Sequence, residues 1–245
     1  MTPRIYVGDD VAALTPGAEY SLPPPAARHV AQVLRLRAGE TLALFTGRGG
    51  EYVADLVRVG RGEVLARVER HDAIERESPL PVTLAQSLIA ADMMDVAVRK
   101  AVELGVAAIV PLQSARSQGL PRERARRRVE HWRQVAIAAC EQCGRNRVPP
   151  IGELVSFADW IASSAMEEGT AMLDAAASQS LASLAYAHPP RIVLVGPEGG
   201  FTQEERERAQ ARGAVPAHLG PRVLRAETAA IAALVTIGAL AGDAG

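Results

Sequence analysis

The sequence predicts an α/β protein of two domains: a small β-rich module over residues 1–75, and an α/β domain over 76–245 with a mostly parallel sheet. Three observations carry this. Strand-like runs separated by glycine turns fill much of the first part. A polar stretch with two prolines, "ERESPLPV" (Glu75–Val82), reads as a linker. From Val82 onward apolar strand-like runs alternate with helix-period segments, as expected when helical crossovers join parallel strands.

In the module, "PPPAARHVAQVLRLRAGE" carries Ala27, Val30, Val33, Leu34 and Leu36 at helical spacing, with Gly39 placed to end the helix. "TLALFTGRGGEYVADLVRVGRGEVLARVER" holds three strand-like runs, with "GRGG" and "GRG" as turns. In the second domain "VTLAQSLI" is a strand, "DMMDVAVRKAVELG" a helix ending at Gly105, and "VAAIVPLQS" a strand. "PRERARRRVEHWRQVAIAACEQCG" is a long helix with Pro121 in its first turn and Gly144 past its end. Ala125, Val129, Trp132, Ala136, Ala139 and Cys143 give it one apolar face. "FADWIASSAM" and "SLASLAYA" read as helices around the strand "TAMLDA". "RIVLV" is a strand, "TQEERERAQARG" a helix, "AVPAHLG" a strand and loop, and "ETAAIAALVTIGALAG" a closing helix.

Composition narrows the classes. Hydrophobic residues are 48% and charged residues 22%, the balance of a soluble globular chain, and aromatics are only 4%, so Ala, Val, Leu and Ile must form the core. A net charge of −1 excludes a polycation. Yet Arg116–Arg147 holds nine arginines against Glu123, Glu130 and Glu141, a local +6, which is either a phosphate-contacting patch or a solvated helix face. No run of ~18 apolar residues suggests a membrane span. "MTPRIYVGDD" lacks the apolar stretch of a secretory signal, and two cysteines argue against a disulfide framework, so a cytoplasmic protein is expected.

Four stretches carry chemistry. "LVGPEGGFTQEE" (Leu194–Glu205) places Gly196, Gly199 and Gly200 between a strand and a helix whose start is marked by Thr202 and Glu205, a capping box. It is either a tight turn or a ligand cradle. It matches neither common phosphate loop, Pro197 removes one N–H, and Glu198 would repel a phosphate, so a neutral or cationic ligand suits it better. "HLGPRVLRAETAA" (His218–Ala230) is a second strand–loop–helix passage that could form a facing wall. Its Arg222 and Arg225 suit an anion or a partner surface, or else pair with Glu227. "CEQCGRNRVPP" holds a C-x-x-C with no second cysteine pair for zinc and at a helix C-terminus, wrong for a redox thiol. Its Glu141, Gln142, Arg145 and Asn146 are more suggestive, because Gln and Asn read base edges and Arg holds phosphate. In "RHVAQVLRLRAGE", Arg28, His29, Arg35 and Arg37 form a small basic patch.

Together these stretches resemble the RsmE family of ribosomal-RNA methyltransferases, within the SPOUT superfamily. "RHVAQVLRLRAGE" and "FTGRGGEYVADL" resemble its N-terminal PUA-like domain. "RKAVELGVAAIVPLQSARS", "WRQVAIAACEQCGRNRVP", "LVGPEGGFTQEE" and "LGPRVLRAETAAIAAL" resemble successive blocks of its methyltransferase domain. The resemblance implies a trefoil knot within roughly residues 170–245, a homodimer packed through that region, and S-adenosylmethionine bound in a bent shape. It implies methylation of N3 of one uridine in the 16S rRNA of the small ribosomal subunit, with no metal. By the match, Leu194, Gly196, Glu198, Gly199 and Gly200 fall on the first cofactor loop, Leu219, Gly220, Val223 and Leu224 on the second, and Leu173 touches adenine. Glu198 either faces the cofactor's positive end or shapes its loop. Arg145 and Glu141 are the candidate catalytic residues, orienting the uridine. Arg28, His29, Arg35, Arg116 and Asn146 are the candidate RNA contacts. Ala115, where the family often has Glu, and "IAADMMD", which lacks a frequent lysine, depart from the pattern. The alternatives are a related enzyme acting on another rRNA or tRNA site and a non-catalytic RNA-binding assembly factor. A nucleotide-dependent enzyme ranks low without a phosphate loop.

Overall fold

A computed structural model of the protein describes residues 2–9, 11, 14–60, 62–163 and 169–243. The chain forms two compact units. The first is Met1–Glu77 with Ile137–Val148, and the second is Ser78–Ala136 with Pro149–Gly245.

The first unit is built on a five-stranded sheet: β1 (Arg4–Tyr6), β2 (Glu19–Ser21), β3 (Thr41–Phe45), β4 (Glu51–Val59) and β5 (Val64–Asp72), in the order β1-β3-β4-β5-β2. The three expected runs form the antiparallel meander β3-β4-β5. Along β4, Tyr52, Ala54 and Leu56 are buried and alternate with more exposed neighbours, the period-two signature of a strand with one covered face. β1, parallel to β3, and β2, antiparallel to β5, were not anticipated, because three residues are too few to show alternation. The expected amphipathic helix is shorter than its spacing implied. Helix α1 covers Pro24–Arg28 and gives way to a π-helical turn over His29–Val33, closed by Leu34 N–H donating to His29 O at 2.9 Å. The wider turn takes Val33 and Leu34 off the buried face, and they are 67% and 37% exposed.

The second unit follows the predicted alternation with one unanticipated short strand, β8: β6 (Thr83–Ser87), α2 (Ala91–Glu103), β7 (Ala108–Gln113), α3 (Arg122–Cys143), β8 (Val155–Ser156), α4 (Phe157–Ala162), β9 (Thr170–Leu173), α5 (Leu181–Ala187), β10 (Ile192–Val195), α6 (Gln203–Ala211), β11 (Val215–Ala217) and α7 (Ala226–Ala241). From Ile137 on, α3 belongs to the first unit. The helix expected over Phe157–Met166 stops at Ala162, and residues 164–166 lie outside the described residues. Strand order is β11-β9-β10-β6-β7-β8, with every neighbouring pair parallel. β6 starts in the middle of the sheet. The chain then builds outward through β7 and β8, and returns to the other side through β9, β10 and β11.

Both faces of this sheet are covered. Ile192 and Leu194 of β10 join Ala85, Phe157, Trp160, Ile161, Phe201 and Ala209 in one apolar cluster under α4 and α6. α7 packs against β10, and α2 and α5 pack against α7. β10 is therefore buried along its whole length, which explains its unbroken apolar run. Among the described residues no helix is long and apolar enough to cross a membrane.

Candidate functional site

In an open parallel sheet, ligands bind beyond the carboxyl ends of the strands where the strand order reverses. Here that edge is formed by β9, β10 and β11, which end at Leu173, Val195 and Ala217. Beyond them lies a cavity of ≈ 610 Å³, within the range of small-molecule sites. The glycine loop Gly196–Phe201 forms one wall, Leu219 and Arg222–Glu227 a second, and Leu173–Ala175 a third; Ala90, Met93 and Arg206 are among the other residues that line it.

The glycine loop is locally determined at two points. Gly200 has φ +66°, a left-handed conformation that a side chain would strain. A Cβ on Gly196 would stand 3.3 Å from the ring and the backbone nitrogen of Phe201, tighter than ordinary packing. Phe201 is buried against Phe157, ring centroids 5.1 Å apart, and so anchors the loop to the core.

Contacts distant in sequence fix the rest. Thr202 and Glu205 form the expected capping box at the start of α6. Glu205 does more than cap: one carboxylate oxygen accepts Thr202 N–H at 2.9 Å and the other accepts Ala115 N–H at 2.7 Å. The next residue, Arg116, donates to Gly199 O at 2.7 Å. Glu198 accepts Ala90 N–H at 2.8 Å, at the N-terminus of α2. Arg206 donates to Phe201 O at 2.9 Å and stands 3.8 Å from Asp174 on the third wall. The loops after β6, β7 and β9 thus brace the glycine loop. On the second wall, Gly220 has φ +98° and donates its N–H to His218 Nδ1 at 3.0 Å. That bond makes Nδ1 an acceptor and leaves any ring proton on Nε2.

Of the loop residues singled out in the sequence, Leu173, Gly196, Glu198, Gly199, Gly200, Leu219, Val223 and Leu224 line the cavity. Leu194 does not; its side chain sits in the α4–α6 cluster and holds β10 from beneath. Gly220 shapes its loop without lining the cavity. Arg116 is exposed and braces Gly199. The expected pairing of Arg222 or Arg225 with Glu227 does not form among the described residues. Sequence reasoning missed the bracing roles of Glu205, Arg206 and Asp174. Only the capping box gave a local signal for any of them.

The remaining candidates belong to the first unit. Arg145 is buried, donating through Nε to Glu77 at 3.0 Å. Asn146, fully buried, accepts from Arg4 at 2.6 Å and donates to Ile74 O at 2.8 Å. Arg4 also pairs with Glu51, which Arg76 contacts at 3.2 Å. Burial alone would raise the pKa of Glu51, but bonds and attraction from Arg4 and Arg76 outweigh it and hold the carboxyl below its ordinary value. Glu141 accepts Tyr6 N–H at 3.0 Å, and burial raises its pKa despite that bond. Arg145, Glu141 and Asn146, expected near the uridine and the RNA, each make contacts within the first unit. In this structure they are polar pins that tie Ile137–Val148 to the rest of the first unit. Arg28 and Arg35 are exposed and His29 is half-buried. Arg35 has φ +55°, the one positive value outside glycine among the described residues. Cys140 is buried and its thiol is pushed up to about 12 by desolvation, which fits core packing.

A braced glycine loop over the carboxyl edge of a parallel sheet, in a chain that also carries a small β-rich unit, defines a two-unit α/β chain with a built small-molecule site. Residues 76–238 match the family model described as RNA methyltransferase domain, and residues 22–69 match RNA methyltransferase PUA domain. Ribosomal RNA small subunit methyltransferase E of Mycobacterium bovis is 34% identical, covering 86% of this chain and 83% of its own length. The protein of the same name from Bacillus subtilis is 30% identical, covering 89% of each. Two solved structures are similar over 98% of both chains. A methyltransferase of Legionella pneumophila with bound SAM is 37% identical with a TM-score of 0.91. Ribosomal RNA small subunit methyltransferase E of Neisseria gonorrhoeae bound to S-adenosyl methionine is 34% identical with a TM-score of 0.89. The chain belongs to the ribosomal RNA small subunit methyltransferase E family of RNA methyltransferases.

Proposed function

We propose that this protein transfers a methyl group from S-adenosylmethionine to N3 of one uridine in the 16S rRNA of the small ribosomal subunit. The observation that carries the reading is the cavity itself: ≈ 610 Å³, walled by three loops at the carboxyl edge of the sheet, in a chain of this family. Its wall has no lysine and no phosphate loop, and it includes Asp174, Glu198 and Glu227. That suits a cation carrying a flat heterocycle better than a polyphosphate.

Bound S-adenosylmethionine supplies an electrophilic methyl carbon, whose bond to sulfur breaks with the electron pair going to sulfur as the nitrogen of the base attacks. The protein's task is to hold donor and base in line and to assist loss of the N3 proton. The braced loops serve the first need. Leu173, Leu219 and Leu224 offer apolar surface for the adenine, while loop backbone groups reach its edges. Arg28, His29 and Arg35, on the exposed turn of the first unit, are the proposed RNA contacts there, and Arg116 reaches phosphate from the loop it braces.

The reading extends to assembly. The segment from about residue 170 to the C-terminus forms the trefoil knot of the SPOUT superfamily, and two copies pair through this domain. Tyr186 on α5 and Val235 and Leu240 on α7, at 82%, 46% and 43% exposure, are the apolar surface a second copy would cover. The protein acts in the cytoplasm, where small subunits are assembled.

The test is methyl transfer from radiolabelled S-adenosylmethionine to small subunits lacking the modification and, in parallel, to free tRNA, with the product mapped by mass spectrometry. Label at uridine N3 of 16S rRNA supports the reading. Label in tRNA or on a ribose oxygen rejects it.

A further inference from the structure

The charges around the cavity are unequally engaged. Asp174 accepts Ala176 N–H at 2.9 Å and faces Arg206, and Glu198 accepts Ala90 N–H. Glu227, the third acid, is only 9% exposed, yet it lines the cavity from the first turn of α7 and has no hydrogen bond or ion pair among the described residues. Neither of its carboxylate oxygens is sealed from solvent, so the group opens toward the cavity and can take a partner there. The helix N-terminus favours a negative charge at this position. It does not supply a counter-charge. Arg222 and Arg225, also on the cavity wall, are exposed and without an acidic partner among the described residues.

An unpartnered carboxylate and two unpartnered guanidinium groups lining one cavity are the complement of a zwitterion. We propose that Glu227 receives the α-ammonium group of the methionine portion of S-adenosylmethionine, while Arg222 and Arg225 face its carboxylate. This rests on the reading that the cavity is the cofactor site, and it gives a role to the three charged side chains of the wall left without partners. Glu227 is then a binding residue that fixes where the methionine arm lies, and through it the direction in which the methyl group points.

Calorimetry on the full chain with three ligands tests it. S-adenosylmethionine and S-adenosylhomocysteine carry the ammonium and the carboxylate; 5′-methylthioadenosine keeps adenine, ribose and sulfur but has neither. The wild type should bind S-adenosylhomocysteine at least tenfold more tightly than 5′-methylthioadenosine; equal affinities overturn the proposal without any variant. Glu227→Gln should weaken both amino-acid ligands about tenfold and leave 5′-methylthioadenosine within twofold. An equal loss for all three ligands would mean that Glu227 supports the nucleoside or the loop, and overturns it. A loss confined to S-adenosylmethionine would assign Glu227 to the sulfonium, and unchanged affinities with a displaced pH–rate profile would assign it to proton removal; either overturns it. Arg222→Ala with Arg225→Ala, both exposed, gives a second variant expected to show the same selective loss. A wild type that binds none of the three fails the cofactor reading itself, which separates that failure from this one.

Discussion

Replacing Glu205 with alanine removes two bonds at once. Its carboxylate is buried, and its oxygens accept Thr202 N–H and Ala115 N–H, which lie in different loops. The capping arm is worth about 1 kcal/mol. The bond to Ala115 is charge-assisted and spans ninety positions of the chain, and bonds of that kind contribute about 2 kcal/mol. The sum is a loss of about 3 kcal/mol. For a protein of this size that lowers the thermal midpoint by about 6–12 °C. Thr202→Ala removes the cap but leaves Glu205 on Ala115, so it should cost only about 1 kcal/mol. Scanning calorimetry and urea titration on the two variants separate the contributions. If Glu205→Ala is no less stable than Thr202→Ala, the bond to the loop after β7 contributes nothing and the bracing argument fails.

Other consequences follow from the first unit. Arg145→Ala strands Glu77 beside a buried site, so a loss of roughly 3–5 kcal/mol is expected; wild-type stability in urea would show that the Arg145–Glu77 pair is not a structural pin. Glu51 is held below its ordinary value in the folded state. Its contribution is therefore present above the unfolded carboxylate range and lost as pH falls through the folded value. Glu51→Gln should flatten that part of the acid unfolding curve, and an unchanged curve would refute the assignment. Cys140, with its thiol pushed up to about 12 by burial, should resist alkylation at pH 8 in the native protein and react once unfolded. Peptide mass spectrometry reads this directly, and native labelling at the unfolded rate would contradict it.

The second unit was legible because its strands and helices are long enough to show their periods and are separated by Gly and Pro at the right places. β1, β2 and β8 were not, since runs of two or three residues carry no periodicity. The apolar spacing of Val33 and Leu34 suggested a regular helix, and nothing local announced the π turn that exposes them. Both glycine loops could be read as site walls from their strand–loop–helix context. Their bracing could not, because Ala90, Ala115 and Arg116 reach the glycine loop from far away in sequence. The same limit explains Arg145 and Asn146. Their partners Glu77, Arg4 and Ile74 lie far away in sequence, so nothing local announced those contacts.

The central claim is that this chain places N3-methyluridine in 16S rRNA. Mass spectrometry of 16S rRNA digests, comparing a strain that lacks the gene with the same strain complemented by it, tests that claim most directly. The account predicts that N3-methyluridine disappears in the deletion and returns on complementation. An N3-methyluridine content unchanged by the deletion would contradict it.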